Sequence, residues 1–375
     1  MVGWDQLIPP QRRSAPPHEG FMMDVSDQNV DLTIVEPRLD SPSGHFHSLV
    51  ASIASALPNC SIRVACTPNG AKLVPHGCIA WPGLRRGLSK VGLATALRHL
   101  GCRSRALCLL TACDRSLLVA ASVLPRSCRV TGIVHDEGWI RRAQLVRLAS
   151  WIRNDLSIAC FGAGVAEHTV ALGVRRTRHF AYPIDSGWFP LRSQPSLPTH
   201  LLMAGGPRLE KGFVECASWA LDPRSSMPLP LRIHLAKPGK GCLAAAETLR
   251  SGPASTIEPR VEPLSPGEFR DDFMGALVLL LHEPGEYNDR ASGLFLDAVV
   301  SGAPFVARQG TRFAEEAIRF GIGVVTPTLD PQDLSVAVQR AVSTWPACVA
   351  ALVPYRDAVV QRHAPDELAT FILGA

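Results

Sequence analysis

ALVLLLHEPGEYNDRASGLFLDAVVSGAPFVA, residues Ala276–Ala307, is the stretch on which the reading of this chain turns. Its first seven residues, Ala276–His282, form an unbroken apolar run of a length suited to a strand buried on both faces. A polar loop with Pro284 and Gly285 follows, and a helix is expected from about Ser292. Gly302 and Pro304 end that helix, and Pro304–Ala307 reads as the next strand. Strand, helix and strand in such a short span make one βαβ unit, the building block of a parallel sheet.

The same alternation continues on both sides of this unit. Strands are predicted at Leu201–Ala204, Leu231–Leu235 and Gly323–Thr326, with helices from Phe213 and over Leu243–Arg250. In the first half the predicted strands are Leu32–Glu36, Ile62–Cys66, Arg105–Leu110, Val130–His135 and Leu156–Phe161. Helices are predicted between them at His47–Leu57, Val91–Leu100, Ser116–Leu124 and Trp139–Arg153. The polar, proline-containing segment QPSLPT (Gln194–Thr199) has the composition of a linker. The expected architecture is therefore α/β, with two Rossmann-like domains. The first covers 31–195 and the second 196–352, after a loose tail over 1–30. Residues 353–375 form a C-terminal helix that can pack back on the first domain.

Charge supports the division. From Asp31 to Arg192 there are 20 Lys+Arg against 9 Asp+Glu, a net +11, whereas from Ser193 onward the balance is 16 against 20, a net −4. Only the first half would be drawn to an anionic partner. The eleven cysteines include no C-x-x-C pair, so neither a zinc site nor a redox motif is indicated, and free thiols in a reducing cytoplasm are expected. The N-terminal twenty residues lack the apolar core of a signal peptide, and no apolar run approaches the ~20 residues that span a bilayer.

Two loops carry the candidate chemistry. LLMAGGPRLEKGF (Leu201–Phe213) runs from a strand through two glycines into a helix, an arrangement that lets phosphate approach the backbone and the positive end of the helix. Arg208 and Lys211 would add two cations there; the loop lacks the GK[ST] pattern of an ATPase. In the second loop, Ser292 and Gly293 at a helix start can offer free N–H groups to phosphate or sugar oxygens. Asp297, less than two turns further in, lies within reach of a ribose diol. An ordinary basic turn and a solvated helix carboxylate are the bland readings of the same residues.

Together these segments resemble the second half of the retaining GT-B glycosyltransferases of family 4, also called group 1. The matching residues are Arg208, Lys211 and Gly212, then Asp289-x7-Asp297, Ala298, Gly302, Pro304 and Val306. Both acidic positions are aspartate where the family has glutamate. Tyr287, Arg290, Ser292, Gly293 and Ala298 fit a subset of the family with a Y..R.SG pattern, which leaves either Glu286 or Asp289 to meet the sugar. In the first half, the loop Glu36–Val50 is similar to the family's glycine loop, with Gly44 near the β-phosphate and His45 near the cleft. His135 falls where the family has a histidine facing the transferred sugar, and AYPID (Ala181–Asp185) resembles the segment before its interdomain linker.

The resemblance implies transfer of a sugar from a nucleoside-diphosphate sugar to an acceptor hydroxyl with retention, in surface polysaccharide or glycolipid synthesis. It implies His135, Asp289, Arg208 and Lys211 as catalytic residues, a glycan or lipid-linked acceptor, no cofactor, no metal and no nucleic-acid partner. Two alternatives stand beside it: a degenerate GT-B protein that binds a glycan or scaffolds a synthase, and a nucleotide-sugar epimerase. Trp139–Arg153, with four arginines beside two tryptophans, suits a helix lying on an anionic membrane surface, which would make a cytoplasmic protein peripheral to the inner face. The competing reading packs its apolar residues on the sheet and leaves the arginines in solvent.

Overall fold

The computed structural model describes residues 28–39, 45–85, 89–184, 193–223, 225–251, 256–287 and 292–374, with the backbone alone for His45, Glu137, Pro266 and Glu286. Seven parallel strands form the first sheet: β1 (Val30–Val35), β2 (Ile62–Ala65), β3 (Ile79–Trp81), β4 (Ser104–Leu109), β5 (Arg129–Val134), β6 (Ser157–Cys160) and β7 (Arg176–His179). Their order is β3-β2-β1-β4-β5-β6-β7. Six more form the second: β8 (His200–Met203), β9 (Leu231–His234), β10 (Ile257–Arg260), β11 (Ala276–Leu280), β12 (Phe305–Arg308) and β13 (Gly323–Thr326). Their order, β10-β9-β8-β11-β12-β13, repeats that of the first six strands of the first sheet.

Helices α1 (His45–Ser55), α2 (Lys90–Gly101), α3 (Asp114–Val123), α4 (Ala143–Ile152) and α5 (Ala163–Ala171) belong to the first half. The second half has α6 (Phe213–Leu221), α7 (Leu243–Arg250), α8 (Pro266–Asp271), α9 (Gly293–Ser301), α10 (Arg312–Phe320) and α11 (Pro331–Ser343), followed by α12 (Trp345–Arg362) and α13 (Asp366–Leu373). Every residue of β11 is buried, because β8 and β12 flank it and helices cover both faces. Leu32 on β1 is likewise paired with Ile62 on one side and Ala106 on the other. Each sheet thus has a core on either face: Leu107 and Val130 mark one face of the first sheet, Leu32 and Ile34 the other.

In both sheets the order reverses beside the first strand, between β1 and β4 and between β8 and β11. Such a reversal opens a crevice at the carboxyl ends of the strands, where ligands of open α/β sheets bind. The loops after β8 and β11 therefore meet. Gly212, at φ +69°, packs so tightly that a Cβ would stand 2.4 Å from the Leu281 carbonyl oxygen, so only glycine fits. The Glu283 N–H donates to the Glu210 carbonyl at 2.8 Å and closes the junction.

The chain returns to its first half at the end. α12 runs unbroken through 352–353, with Pro354 inside it, so the sequence-based boundary falls within one helix. Its first residue, Trp345, is buried in the second half and donates from Nε1 to the Pro195 carbonyl. Beyond its last residue, His363 Nδ1 donates to the Tyr182 carbonyl and the Ile184 N–H donates back to the His363 carbonyl. α13 then buries Leu368 and Ile372 among Leu32, Ile34 and Val64 of the first domain.

Two readings need correction. The segment Trp139–Arg153 is not one helix: a short 3-10 turn (Glu137–Trp139) precedes α4. The Asp114 carboxylate accepts the Arg142 N–H at 3.1 Å and sets the start of α4, while the Arg38 guanidinium lies over the Trp139 ring. Arg153 is buried, not offered to a surface; it donates to the carbonyls of Leu124, Pro125 and Cys128 and pairs with Asp155. All eleven cysteines are free, and burial pushes the thiols of Cys66, Cys128 and Cys160 up to about 11, so they act as small apolar groups.

Candidate active site at the ends of the two sheets

The loop after β8 turns at Gly205, whose φ of +76° is open to glycine at little cost. A short 3-10 turn, Leu209–Lys211, then leads into α6. Lys211 folds back over the turn, with its Nζ 3.1 Å from where a Gly205 Cβ would stand. Arg208 goes elsewhere: its Nη1 donates to the carbonyls of Pro207 (2.8 Å) and Lys237 (3.1 Å). Lys237 sits at φ +52°, an uncommon place for a side-chain-bearing residue, and this turns its carbonyl onto the guanidinium. The two cations expected side by side are thus divided, one on the Gly205 turn and one on the β9–α7 loop.

α9 enters the same site. The Ser292 Oγ accepts the Phe295 N–H at 3.3 Å and caps the helix, and Gly293 is exposed at its first turn. Asp297 lies on the inner side of α9. Burial pushes its carboxyl up to about 7, against the pull of the Lys211 ammonium. The charge of Asp297 also reaches Tyr182 in the segment after β7: burial first, then Asp297, raises the phenol, opposed by a hydrogen bond with Ser48 of α1. Tyr182 in turn packs at 6.5 Å between ring centroids from His135. A line of His135, Tyr182, Asp297 and Lys211 therefore crosses from one domain to the other.

His135 stands just beyond β5, where its Nε2 donates to the Leu110 carbonyl at 2.9 Å. That bond fixes the ring's tautomer and leaves Nδ1 as the basic nitrogen. Phe161 and Trp139 hold the ring at 5.0 and 5.1 Å, and Phe46 approaches edge-on. Tyr287 takes a packing place, buried with its ring 4.3 Å from that of His282 and backed by Phe313. His45 begins α1 and Glu286 ends a short turn after β11, each described by its backbone alone. Gly44, Asp289 and Arg290 lie outside the described residues. Among the described residues no group of three His, Cys, Asp or Glu comes together as a metal-binding cluster.

Three contributors were not singled out in the sequence. Tyr182 lies in the AYPID segment and could have been suspected from its place before the linker. His234 ends β9, next to the loop that holds Arg208, a position that could have marked it. Asp272 carries no local signal, because its partner is 38 residues away.

No protein-family model and no curated protein matches this sequence. Solved structures do match in shape. Anabaena HepE, in complex with UDP-glucose, superposes with a TM-score of 0.65 at 14% identity, over 92% of this chain and 98% of that one. A glycosyltransferase from Rickettsia africae gives 0.66 at 10% identity, over 93% and 99%. WaaG, a glycosyltransferase involved in lipopolysaccharide biosynthesis, gives 0.59 at 12% identity, over 92% and 100%. The chain therefore has the GT-B fold of these glycosyltransferases, two Rossmann-like domains with parallel sheets.

Proposed function

We propose that the protein is a glycosyltransferase that passes a sugar from a nucleoside-diphosphate donor to an acceptor hydroxyl with retention. The observation that carries this reading is the approach of Lys211 and Asp297 over the Gly205 turn, opposite His135 and Tyr182 of the first half. An ammonium above an open glycine turn suits a diphosphate, and a carboxylate beside it suits a ribose diol. As the bond from the anomeric carbon to the β-phosphate oxygen breaks, the acceptor oxygen bonds to that carbon and passes its proton to the departing phosphate oxygen, which takes the electron pair while Lys211 meets the developing charge. Arg208, held by Lys237, lends its charge from the neighbouring loop, and no metal or cofactor is required in this scheme. His135 faces the sugar, and the acceptor hydroxyl enters from the first half.

The superposition with HepE, which was solved with UDP-glucose, makes a UDP-sugar the first donor to try. Thermal-shift screening of UDP-, GDP- and ADP-sugars, followed by assay of acceptor-dependent nucleoside diphosphate release, tests the reading. Stabilisation without release in any acceptor mixture would favour a binding protein over an enzyme. No stabilisation by any of the three would defeat the donor assignment.

The acceptor side has its own observation. On α4, Arg147, Leu148 and Trp151 are exposed along one face, Trp151 at 82%. A tryptophan left in water beside arginines favours a lipid-linked acceptor at an anionic membrane surface, as expected in surface polysaccharide or glycolipid synthesis. Among the described residues no single helix is long and apolar enough to cross a membrane.

A further inference from the structure

A chain of hydrogen bonds at the end of β9 has no part in the scheme above. The Gly205 N–H donates to His234 Nδ1 at 3.1 Å, and His234 Nε2 donates to Asp272 Oδ2 at 2.9 Å. A backbone amide can only donate, so in this arrangement Nδ1 accepts and Nε2 donates. Burial works against the charge of Asp272. The His234 hydrogen bond and the guanidiniums of Arg232 (2.9 Å) and Arg260 (3.5 Å) nevertheless hold its carboxyl below the usual range.

The other charged and titratable groups around this pair are engaged as well. Arg232 also pairs with Glu258 at 3.0 Å, and His200 Nε2 donates to the Asp272 carbonyl at 2.9 Å. The Phe269 ring covers His234 at 5.8 Å. His234 and Asp272 are both buried, so the pair forms a fixed base beneath the Gly205 turn. Lys211 rests on the same turn, its Nζ 3.1 Å from where a Gly205 Cβ would stand.

We infer that His234 is a positioning residue for the diphosphate site: oriented by Asp272, it fixes the Gly205 peptide on which Lys211 rests. The inference rests on the reading of Gly205 and Lys211 as the donor-diphosphate site. Without an acceptor at Nδ1 the Gly205 turn loses its anchor, and diphosphate binding weakens.

The test uses the full chain, with UDP and inorganic pyrophosphate as probes in calorimetry, and the Gly205 amide exchange rate as a readout that needs no ligand. His234→Asn keeps an acceptor oxygen on Cγ, where Nδ1 is attached; His234→Leu keeps similar bulk with no acceptor. Near pH 8, His234→Leu is expected to speed Gly205 exchange and weaken both probes about fivefold, the effect of one lost hydrogen bond. His234→Asn should stay within about twofold of the wild type there. Equal behaviour of the Asn and Leu variants overturns the inference. If the wild type binds neither probe, the donor reading fails and takes the diphosphate part of the inference with it. Gly205 exchange in the two variants then still decides whether His234 holds the turn.

Discussion

At the carboxyl ends of its strands the second half displays charge held by hydrogen bonds, and the first half displays rings. Lys211, Arg208 and Asp297 are each placed by a carbonyl, a glycine turn or another charge. Across from them stand Phe46, His135, Trp139, Phe161 and Tyr182, packed on one another at 4.9 to 6.5 Å. Yet the first half is the basic one, at +11, and the second carries −4. Net charge therefore says little about the cleft. In the first half Arg147 lies on the outer face of α4 and Arg153 is bound to internal carbonyls, so neither charge serves the cleft. A pair of halves built this way divides labour, with the second gripping phosphate and ribose and the first shaping the place of the sugar and acceptor.

The strongest way to break that division is to remove charge from one side and a ring from the other. Lys211→Ala is expected to weaken binding of the nucleoside diphosphate by about 2–3 kcal/mol, since the interaction is charge-assisted and partly buried. Calorimetry showing unchanged affinity would mean that the phosphate lies elsewhere. His135→Ala should leave that affinity within about twofold while lowering turnover by roughly ten- to thirtyfold, about 1.4–2 kcal/mol of transition-state stabilisation. If each variant damages binding and turnover alike, the halves do not divide the work.

The same contrast explains what could be read in the sequence. Buried central strands were legible: Ala276–Leu280 lies within the apolar run Ala276–His282, and the helix Leu243–Arg250 has its expected bounds. Of the four sheet edges, β13 was foreseen on its apolar Val324 and Val325, whereas β3, β7 and β10 were not. β7 reads RTRH with no apolar residue, and β10 contains Pro259, which an edge strand tolerates because one side of it need not donate. Burial writes a strand into sequence, and an edge is only half buried. At the site, Lys211 and Asp297 carried local signals in their glycine turn and helix start. Arg208's partner Lys237, and the pairing of His234 with Asp272, depend on contacts 29 and 38 residues apart, which no local pattern records.

Asp297 sharpens the comparison through stability. Its carboxyl stands at about 7 in the fold against an ordinary value of 3.8. Between those values the folded state holds a proton that the unfolded chain has lost, so the contribution of Asp297 to stability falls as pH rises through this window. Above it both states are ionised and the full penalty is present. Asp297→Asn is therefore expected to be more stable than the wild type at pH ~8, by roughly 1–2 kcal/mol, with the gain shrinking toward pH ~5. The same variant should bind nucleoside diphosphate more weakly. Thermal melts at the two pH values check the sign, and a gain that grows on acidification would show that the carboxylate is well paired.

The smallest effect expected lies on the outer face of the first half. Val146 and Ala149 of α4 are buried against the sheet, while Arg147, Leu148 and Trp151 face out. The helix therefore satisfies its core with one stripe and still leaves an indole in water, so burial alone does not account for that residue. An indole that partitions into the headgroup region of an anionic bilayer gains from removal of apolar surface, and neighbouring arginines gain from the surface potential. Trp151→Ala should lower binding to anionic liposomes by roughly 1 kcal/mol, about fivefold, and added salt should weaken what remains. Nucleoside diphosphate binding should not change, because α4 lies outside the charged site. Equal pelleting of wild type and Trp151→Ala, or equal binding to neutral vesicles, would assign the exposed stripe to something other than a membrane. The acceptor would then have to reach His135 from solution.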